Sequence, residues 1–447
     1  MPWAGGRVIR MALAALFVAA LVASLGAASA AANGRPNILV IMTDDQRAGT
    51  MDVMPKTRQW FETGGTQFNH AFATTPVCCP SRASVFSGRY THNHRVATND
   101  SAALFDPRYA IQGYLKAAGY KTGMFGKYFN AWNPFQNPPW FDDWAIFSAG
   151  YSPIRVNEQG VVKTVNQYAT SYIRDNAVRF IQESENQDAT PWLLNLWTTA
   201  PHGPFTPDTQ YQSASVPPYE PSPSVFESDR SDKPPYVQAR AFDLEPIEQD
   251  RANQLRTLMS VDDMVQTVFE TLDANGETGE TLAFFLSDNG YLWADHGLQA
   301  KGYSYDKSVR VPMYMRWPGQ VVAGATDNRL VANIDVAPTI VDAVDGIAPA
   351  APMDGRSLLD PLQNRTRLLT EYEGFHWAAI RTLTSHYVEH YNASEHTIVH
   401  REYYDLMADP FELENLLADG NAANDPPTAA LSAQLAADKE CVGFSCP

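Results

Sequence analysis

Two short stretches of this chain set oxygen donors side by side. Asp44-Asp45 follows the apolar run 37–42, and Asp288-Asn289, within Ser287-Asp288-Asn289-Gly290, follows the apolar run 281–286. Three carboxylates and an amide are hard donors that suit Ca²⁺ or Mg²⁺ rather than zinc, which favours His and Cys. Gathered without a cation, the carboxylates would repel one another. An Asp pair in a turn also serves as a helix cap, but two strand ends with oxygen donors raise both above that reading. Cys78-Cys79-Pro80-Ser81-Arg82 lies between the pairs in sequence. Of the four cysteines, Cys441 and Cys446 are spaced to close a small loop. A bridge between the neighbours Cys78 and Cys79 conflicts with ordinary disulfide geometry, which leaves two buried thiols or long-range pairing. His202 is presented by the stiff turn Ala200-Pro201-His202-Gly203-Pro204.

These residues need a scaffold, and the runs around them read as α/β. Residues 37–42, Asn-Ile-Leu-Val-Ile-Met, are apolar without alternation, as in a strand buried on both faces of a parallel sheet. Residues 281–286 read as a second such strand, and 192–197 as a third that runs into the His202 turn. Ligands of open α/β sheets bind beyond the carboxyl ends of strands, which is where both donor pairs fall. Helical spacing covers 109–118, 170–183 and 247–272, the last ended by Asn275-Gly276. Residues 204–246 are rich in Pro, Ser, Tyr and Asp with little period, the mark of a functional or mobile segment. Beyond Leu358 short β-like runs at 378–383, 387–390 and 397–400 precede an Ala-rich terminal helix, predicting a small antiparallel sheet with a helix packed on it. Trp132, Trp140, Phe141 and Trp144 are either a platform for sugar rings or a satellite core.

At 447 residues and 45% hydrophobic, the chain can bury a large core. Its formal charge of −17 argues against a nucleic-acid partner, since phosphate-binding surfaces are normally basic. Arg7 and Arg10, an apolar run over 11–25 and then Ala28-Ser29-Ala30 follow the order of a secretory signal peptide, cleaved near Ala30. No later apolar run reaches spanning length, so a secreted mature protein with no stable membrane insertion is expected.

Cys78-Cys79-Pro80-Ser81-Arg82 with Gly88-Arg89 resembles the Cys-x-Pro-Ser-Arg modification site of the type I sulfatases. Gly126-Lys127, Pro201-His202-Gly203-Pro204, Ser287-Asp288-Asn289-Gly290, His296 to Lys301, Arg310-Val311-Pro312, Asp335-x-x-Pro338-Thr339, Tyr404-Asp405-Leu406 and Asp409-Pro410 occur in that family's order. The resemblance implies that a formylglycine-generating enzyme oxidises Cys78 to an aldehyde whose hydrate attacks the sulfate ester. A hydrate can expel sulfate by re-forming its C=O bond, which a serine ester of sulfate cannot do. It implies that Asp44, Asp45, Asp288, Asn289 and the modified residue 78 hold Ca²⁺, with Mg²⁺ as the alternative. It further implies that Arg82 steadies the hydrate, Lys127 and Lys301 bind sulfate oxygens, His202 protonates the leaving alkoxide and Asp288 activates the hydrate. The expected fold is alkaline-phosphatase-like: a mixed, mainly parallel sheet between helices, with a smaller C-terminal antiparallel α/β subdomain. The expected division is signal peptide 1–30, catalytic domain 31–358 and C-terminal subdomain 359–447.

Cys78 to Ser84 and Tyr90 to His94 look most like glucosamine-6-sulfatases, so the expected substrate is a sulfated small molecule or glycan. Two departures stand out. Phe86-Ser87-Gly88-Arg89 replaces the family's Leu-Thr-Gly-Arg and keeps the hydroxyl. Phe129 stands where many members carry a histidine that assists sulfate elimination, which leaves His92 or His94 as candidates for that base. The competing functions are a phosphodiesterase or phosphonate monoester hydrolase on the same scaffold, and a glycan-binding protein in which Cys78 remains a thiol.

Overall fold

The apolar run after Arg35 becomes β1 (Asn37–Thr43), buried along its whole length near the middle of a ten-stranded sheet. The computed structural model describes Met1 and residues 35–186, 190–239, 242–394 and 396–447; apart from Met1, the expected signal peptide lies outside the described residues. The other strands of this sheet are β2 (Thr66–Phe72), β3 (Lys121–Lys127), β4 (Asp143–Phe147), β5 (Ile154–Glu158), β6 (Val161–Val165), β7 (Trp192–Trp197) and β8 (Thr281–Ser287). A ribbon of β9 (Leu292–Trp293) and β10 (Gln299–Ala300) lies outside it, and β11 (Met313–Arg316) and β12 (Ala325–Ala332) complete it. The order is β12-β2-β11-β8-β1-β7-β3-β4-β5-β6, and only β11 and β5 run against the rest.

The lack of alternation in β1 has a direct cause. Ile38, Val40 and Met42 face one core with Phe86, Ile111, Leu115 and Ile340, from the helices Cys78–Ser87, Ile111–Ala117 and Val336–Ala343. Leu39 and Ile41 face the other core with Ile173, Phe180, Leu258 and Val265, from the helices Ala169–Glu185 and Leu244–Ala274. Each such side chain taken fully out of water contributes about 2 kcal/mol. No helix among the described residues is long and apolar enough to cross a membrane.

A second, antiparallel sheet contains β13 (Leu368–Tyr372), β14 (Trp377–Arg381), β15 (Ser385–Tyr391) and β16 (Ile398–Asp405), in that order. The terminal helix Thr428–Asp438 packs Leu431 and Leu435 on it beside Cys441 and Cys446, which form the expected disulfide. Cys78 and Cys79 are free and buried. Among the described residues of 204–246, only short helical turns precede the long helix that begins at Leu244. Of the ten strands in the large sheet the sequence pattern reveals only β1, β7 and β8; it misses β3, whose two glycines mask a strand, the shorter or partly exposed strands of the same sheet, and β13 of the second sheet.

Gly126 explains the miss of β3. Its φ is +117°, and a Cβ there would lie 1.9 Å from the Trp197 carbonyl oxygen on β7. Only glycine lets β3 approach β7 this closely just before Lys127. Gly126→Ala is therefore expected to cost about 3 kcal/mol, read as a lower urea midpoint with an unchanged slope.

Candidate active site

Four adjacent parallel strands, β8, β1, β7 and β3, end along one edge. β8 delivers Asp288 and Asn289, β1 delivers Asp44 and Asp45, β7 runs into the His202 turn, and β3 ends on Lys127. The helix Cys78–Ser87 brings up Cys78 and Arg82, one turn apart and so on one face. Cys78 is its first residue, where the helix dipole favours negative charge. Lys301 follows β10 in a loop with left-handed residues at Ala294, His296 and Ala300. Gly290 is required after Asn289, since a Cβ there would meet the Lys307 carbonyl oxygen at 2.2 Å.

Asp44, Asp45, Cys78, Arg82, Lys127, His202, Asp288, Asn289 and Lys301 converge here. Cys78 Sγ lies 2.9 Å from Lys301 Nζ, 3.5 Å from Lys127 Nζ and 3.4 Å from Asp44 Oδ1. Arg82 donates from Nε and Nη2 to Asp288 Oδ2 at 3.0 and 2.8 Å, from Nη2 to Asp44 Oδ2 at 3.1 Å, and from Nη1 to the Lys127 carbonyl at 2.6 Å. Lys127 also pairs with Asp44, and Lys301 with Asp45. Asn289 Nδ2 donates to Asp45 Oδ1 at 2.7 Å. His202 Nε2 stands 3.8 Å from Asp45 Oδ2, while its Nδ1 faces the Gly203 carbonyl at 2.7 Å. Pro201 and Pro204 on either side are both cis. The side chains of Asp44, Arg82 and Lys127 are fully buried, whereas that of His202 is 28% exposed and forms the open side.

Burial and charge set the protonation states. Burial opposes ionisation of Asp44, but Lys127, His202, Arg82 and Lys301 outweigh it and hold this carboxyl well below the usual range. Burial and the neighbouring Asp44 push Asp288 upward against Arg82 and Lys301. Burial, reinforced by Asp44, pushes the Cys78 thiol up to about 12 against the two lysines, so an unmodified Cys78 stays protonated. Burial works against the Lys301 ammonium, yet Asp45 and Cys78 keep its pKa well above the ordinary value.

The donor set fits a hard divalent cation. Ligand atoms of Asp44, Asp45, Cys78 and His202 all lie within 4.8 Å of one another. Asn289 Oδ1 is buried with no hydrogen-bond partner among the described residues, an acceptor that a cation would satisfy. Of the expected ligands, Asp44, Asp45 and residue 78 belong to that group, His202 joins it, and Asn289 contributes the unsatisfied oxygen.

Several supporting groups have no signal in the sequence. Asn333 Nδ2 donates to Ser81 Oγ at 2.8 Å, and Ser81 Oγ donates in turn to the Asp288 carbonyl. Arg47 forms a buried pair with Asp295, which ties the Asp45 loop to the segment leading to Lys301. Neither histidine offered for the elimination step joins the cluster. His92 Nδ1 lies 2.9 Å from Glu371 and its Nε2 3.0 Å from the Cys441 carbonyl. His94 bonds Ser84 Oγ and the Val96 N–H, and burial drops its pKa to about 3. Phe129 packs among Phe86, Phe105 and Tyr128. The aromatic group divides: Phe141 is core, Trp140 is exposed, and Trp132 lines an open cleft of about 350 Å³ with Phe105 and Gln136.

The family profiles and the curated relatives agree, while the fold is also shared by a solved phosphonate monoester hydrolase of Agrobacterium radiobacter, with a TM-score of 0.70 at 22% identity over 91% of this chain and 96% of that one. The Sulfatase family profile matches residues 36–347, and the profile "N-sulphoglucosamine sulphohydrolase, C-terminal" matches 294–440. The chain is 35% identical over 362 residues to the extracellular sulfatase SULF-1 homolog of Drosophila melanogaster, a match covering 75% of this chain and 32% of that protein. It is 29% identical over 381 residues to the N-acetylglucosamine-6-sulfatase of Homo sapiens, covering 77% and 68%. The chain thus spans about a third of the fly protein's length. Among solved structures, BT4656 in complex with its substrate D-glucosamine-2-N,6-O-disulfate superposes with a TM-score of 0.79 at 22% identity, over 90% of this chain and 97% of that one. The fold is the expected alkaline-phosphatase-like one.

Arg82 holds two buried carboxylates at once. Arg82→Ala is expected to destabilise the protein by about 3–5 kcal/mol in urea unfolding, because it strands both charges. Arg82→Lys should recover only part of this, since an ammonium lacks the fork that spans Asp44, Asp288 and the Lys127 carbonyl.

Proposed function

The chain belongs to the sulfatase family, and on that premise we propose that it hydrolyses sulfate esters of a carbohydrate with residue 78 as the nucleophile. The observation that carries this is the setting of Cys78 Sγ, at the head of a helix and within 3.5 Å of two lysine ammoniums and of Asp44. Cationic groups fixed where negative charge gathers are usually the largest catalytic contribution. Lys127 and Lys301 are the groups we assign to the sulfate oxygens. Arg82 holds Asp44 and Asp288 in register beside residue 78. His202, on the open side, is the group we assign to protonate the leaving oxygen. Asp288, whose carboxyl is pushed upward by burial and by Asp44, is assigned to draw the proton from the attacking hydroxyl.

Conversion of Cys78 to formylglycine by a formylglycine-generating enzyme supplies an aldehyde hydrate as nucleophile. Asp44, Asp45, Asp288 and Asn289 would hold a divalent cation, Ca²⁺ ahead of Mg²⁺, which when bound supplies Lewis-acid polarisation of the ester. The cluster's three carboxylates are matched by Arg82, Lys127 and Lys301, so such a cation leaves the surplus of positive charge that an anionic ester requires. A carbohydrate ester is supported by the names of the relatives, among them N-acetylglucosamine-6-sulfatases. Export is supported by the Arg7 to Ala30 pattern and by relatives named extracellular sulfatases. Within the mature chain we assign residues 31–358 to catalysis and 359–447 to the smaller subdomain.

Co-expression with a formylglycine-generating enzyme is expected to lower the mass of the peptide containing residue 78 by roughly 18 Da, the change from CH₂SH to CHO. Cys78→Ala should abolish turnover of an aryl sulfate and of glucosamine 6-sulfate. An unmodified thiol with bound but uncleaved sulfated glycan, or faster turnover of a matched phosphate diester, would overturn the proposal. Chelation should also stop turnover, with Ca²⁺ restoring it better than Mg²⁺.

A further inference from the structure

The second sheet reaches the Cys78 cluster through the end of β13. The Glu371 N–H donates to the Thr74 carbonyl at 2.8 Å, four residues before Cys78. Trp377, the ladder partner of Tyr372, donates from Nε1 to the Gly302 carbonyl at 2.8 Å, next to Lys301. Tyr372 is thereby fixed between the two segments that carry residue 78 and its nearest cation. The approach is close: a Cβ on Gly302 would lie 2.9 Å from Phe375 Cε2 and 3.2 Å from Tyr372 Cε1. Tyr372, Phe375 and Tyr303 form a continuous aromatic wall, with ring centroids 5.2 and 5.1 Å apart.

The wall offers both kinds of contact that a sugar ring needs. Phe375 is 45% exposed and presents an apolar face. The half-buried Tyr372 has no hydrogen bond from its phenol to any protein group among the described residues, whereas its neighbour Glu371 is committed to His92. Burial pushes the Tyr372 pKa up, with Lys301 opposing and Cys78 and Asp100 adding to the rise, so the phenol stays protonated within reach of the cluster's field. An uncommitted donor and an apolar ring packed against Gly302, the residue after Lys301, suit an uncharged, hydroxylated ring attached to the anion.

We infer that Tyr372, backed by Phe375, is the leaving-group subsite, its phenol hydrogen-bonding a hydroxyl of the sugar that carries the sulfate. This rests on the sulfatase function proposed above. Aryl sulfates lack that hydroxyl and gain only the aromatic contact, so the phenol sets the preference for sugar over aryl esters.

The test is the ratio of kcat/KM for glucosamine 6-sulfate to that for 4-nitrophenyl sulfate, measured on the matured enzyme and on Tyr372→Phe, which keeps the aromatic wall and its packing. The ratio should fall about tenfold, mainly through KM for the sugar ester. Calorimetric binding of glucosamine 6-sulfate to Cys78→Ala should weaken by a similar factor when Tyr372→Phe is added. A ratio unchanged within experimental error, or equal losses on both esters, would overturn the subsite and leave the sulfatase function standing. No cleavage of either ester by the matured wild-type enzyme would overturn the function itself, and the subsite with it.

Discussion

Three carboxylates can be buried side by side only if comparable positive charge is buried with them. Asp44, Asp45 and Asp288 meet this condition through Arg82, Lys127 and Lys301, and the way they meet it fixes the geometry of the whole edge. Arg82 is the central member, because a planar guanidinium can bridge the ends of β1 and β8 and still bond the carbonyl of Lys127 on β3. Desolvation makes each of these charges costly alone, so the cluster assembles as a unit. The same low-dielectric setting concentrates positive charge around Cys78 in a protein whose overall charge is −17.

The sheet supplies the platform. Because β8, β1, β7 and β3 are parallel neighbours, their carboxyl ends fall together, and side chains far apart in the chain become adjacent without long loops. The two faces of β1 are covered by separate apolar cores, which leaves the strand ends as the place where polar groups gather.

The second sheet acts on the same site. His296, in the loop before Lys301, stacks on Tyr305 at 4.2 Å, and Tyr305 donates to Glu402 on β16. Burial opposes ionisation of Glu402, yet His390, Tyr404 and Tyr305 bring its pKa down to about 2. Arg381 and His386 bind Glu412, and Arg381 also binds Asp306, just beyond Lys301. The loop that carries Lys301 is therefore fastened to the antiparallel sheet by buried charge, and the end of β13 stands beside it.

The chemistry of the site was legible in the amino-acid sequence wherever local spacing carried it. Oxygen donors after apolar runs marked the ends of β1 and β8, and the four-residue step from Cys78 to Arg82 already put both on one helical face. β1, β7 and β8 showed themselves because burial on both faces demands unbroken apolar runs, whereas the glycines of β3 hid a strand buried at all but its first residue. What the sequence left open is what depends on sheet order and on contacts across hundreds of residues. The support of Ser81 by Asn333, the pairing of Arg47 with Asp295, the engagement of His92 and His94 away from Cys78, and the meeting of Tyr372 with the Lys301 loop have no local period to announce them. Spacing along a chain determines which side chains share a face; only the packing of those faces determines which charges and rings meet.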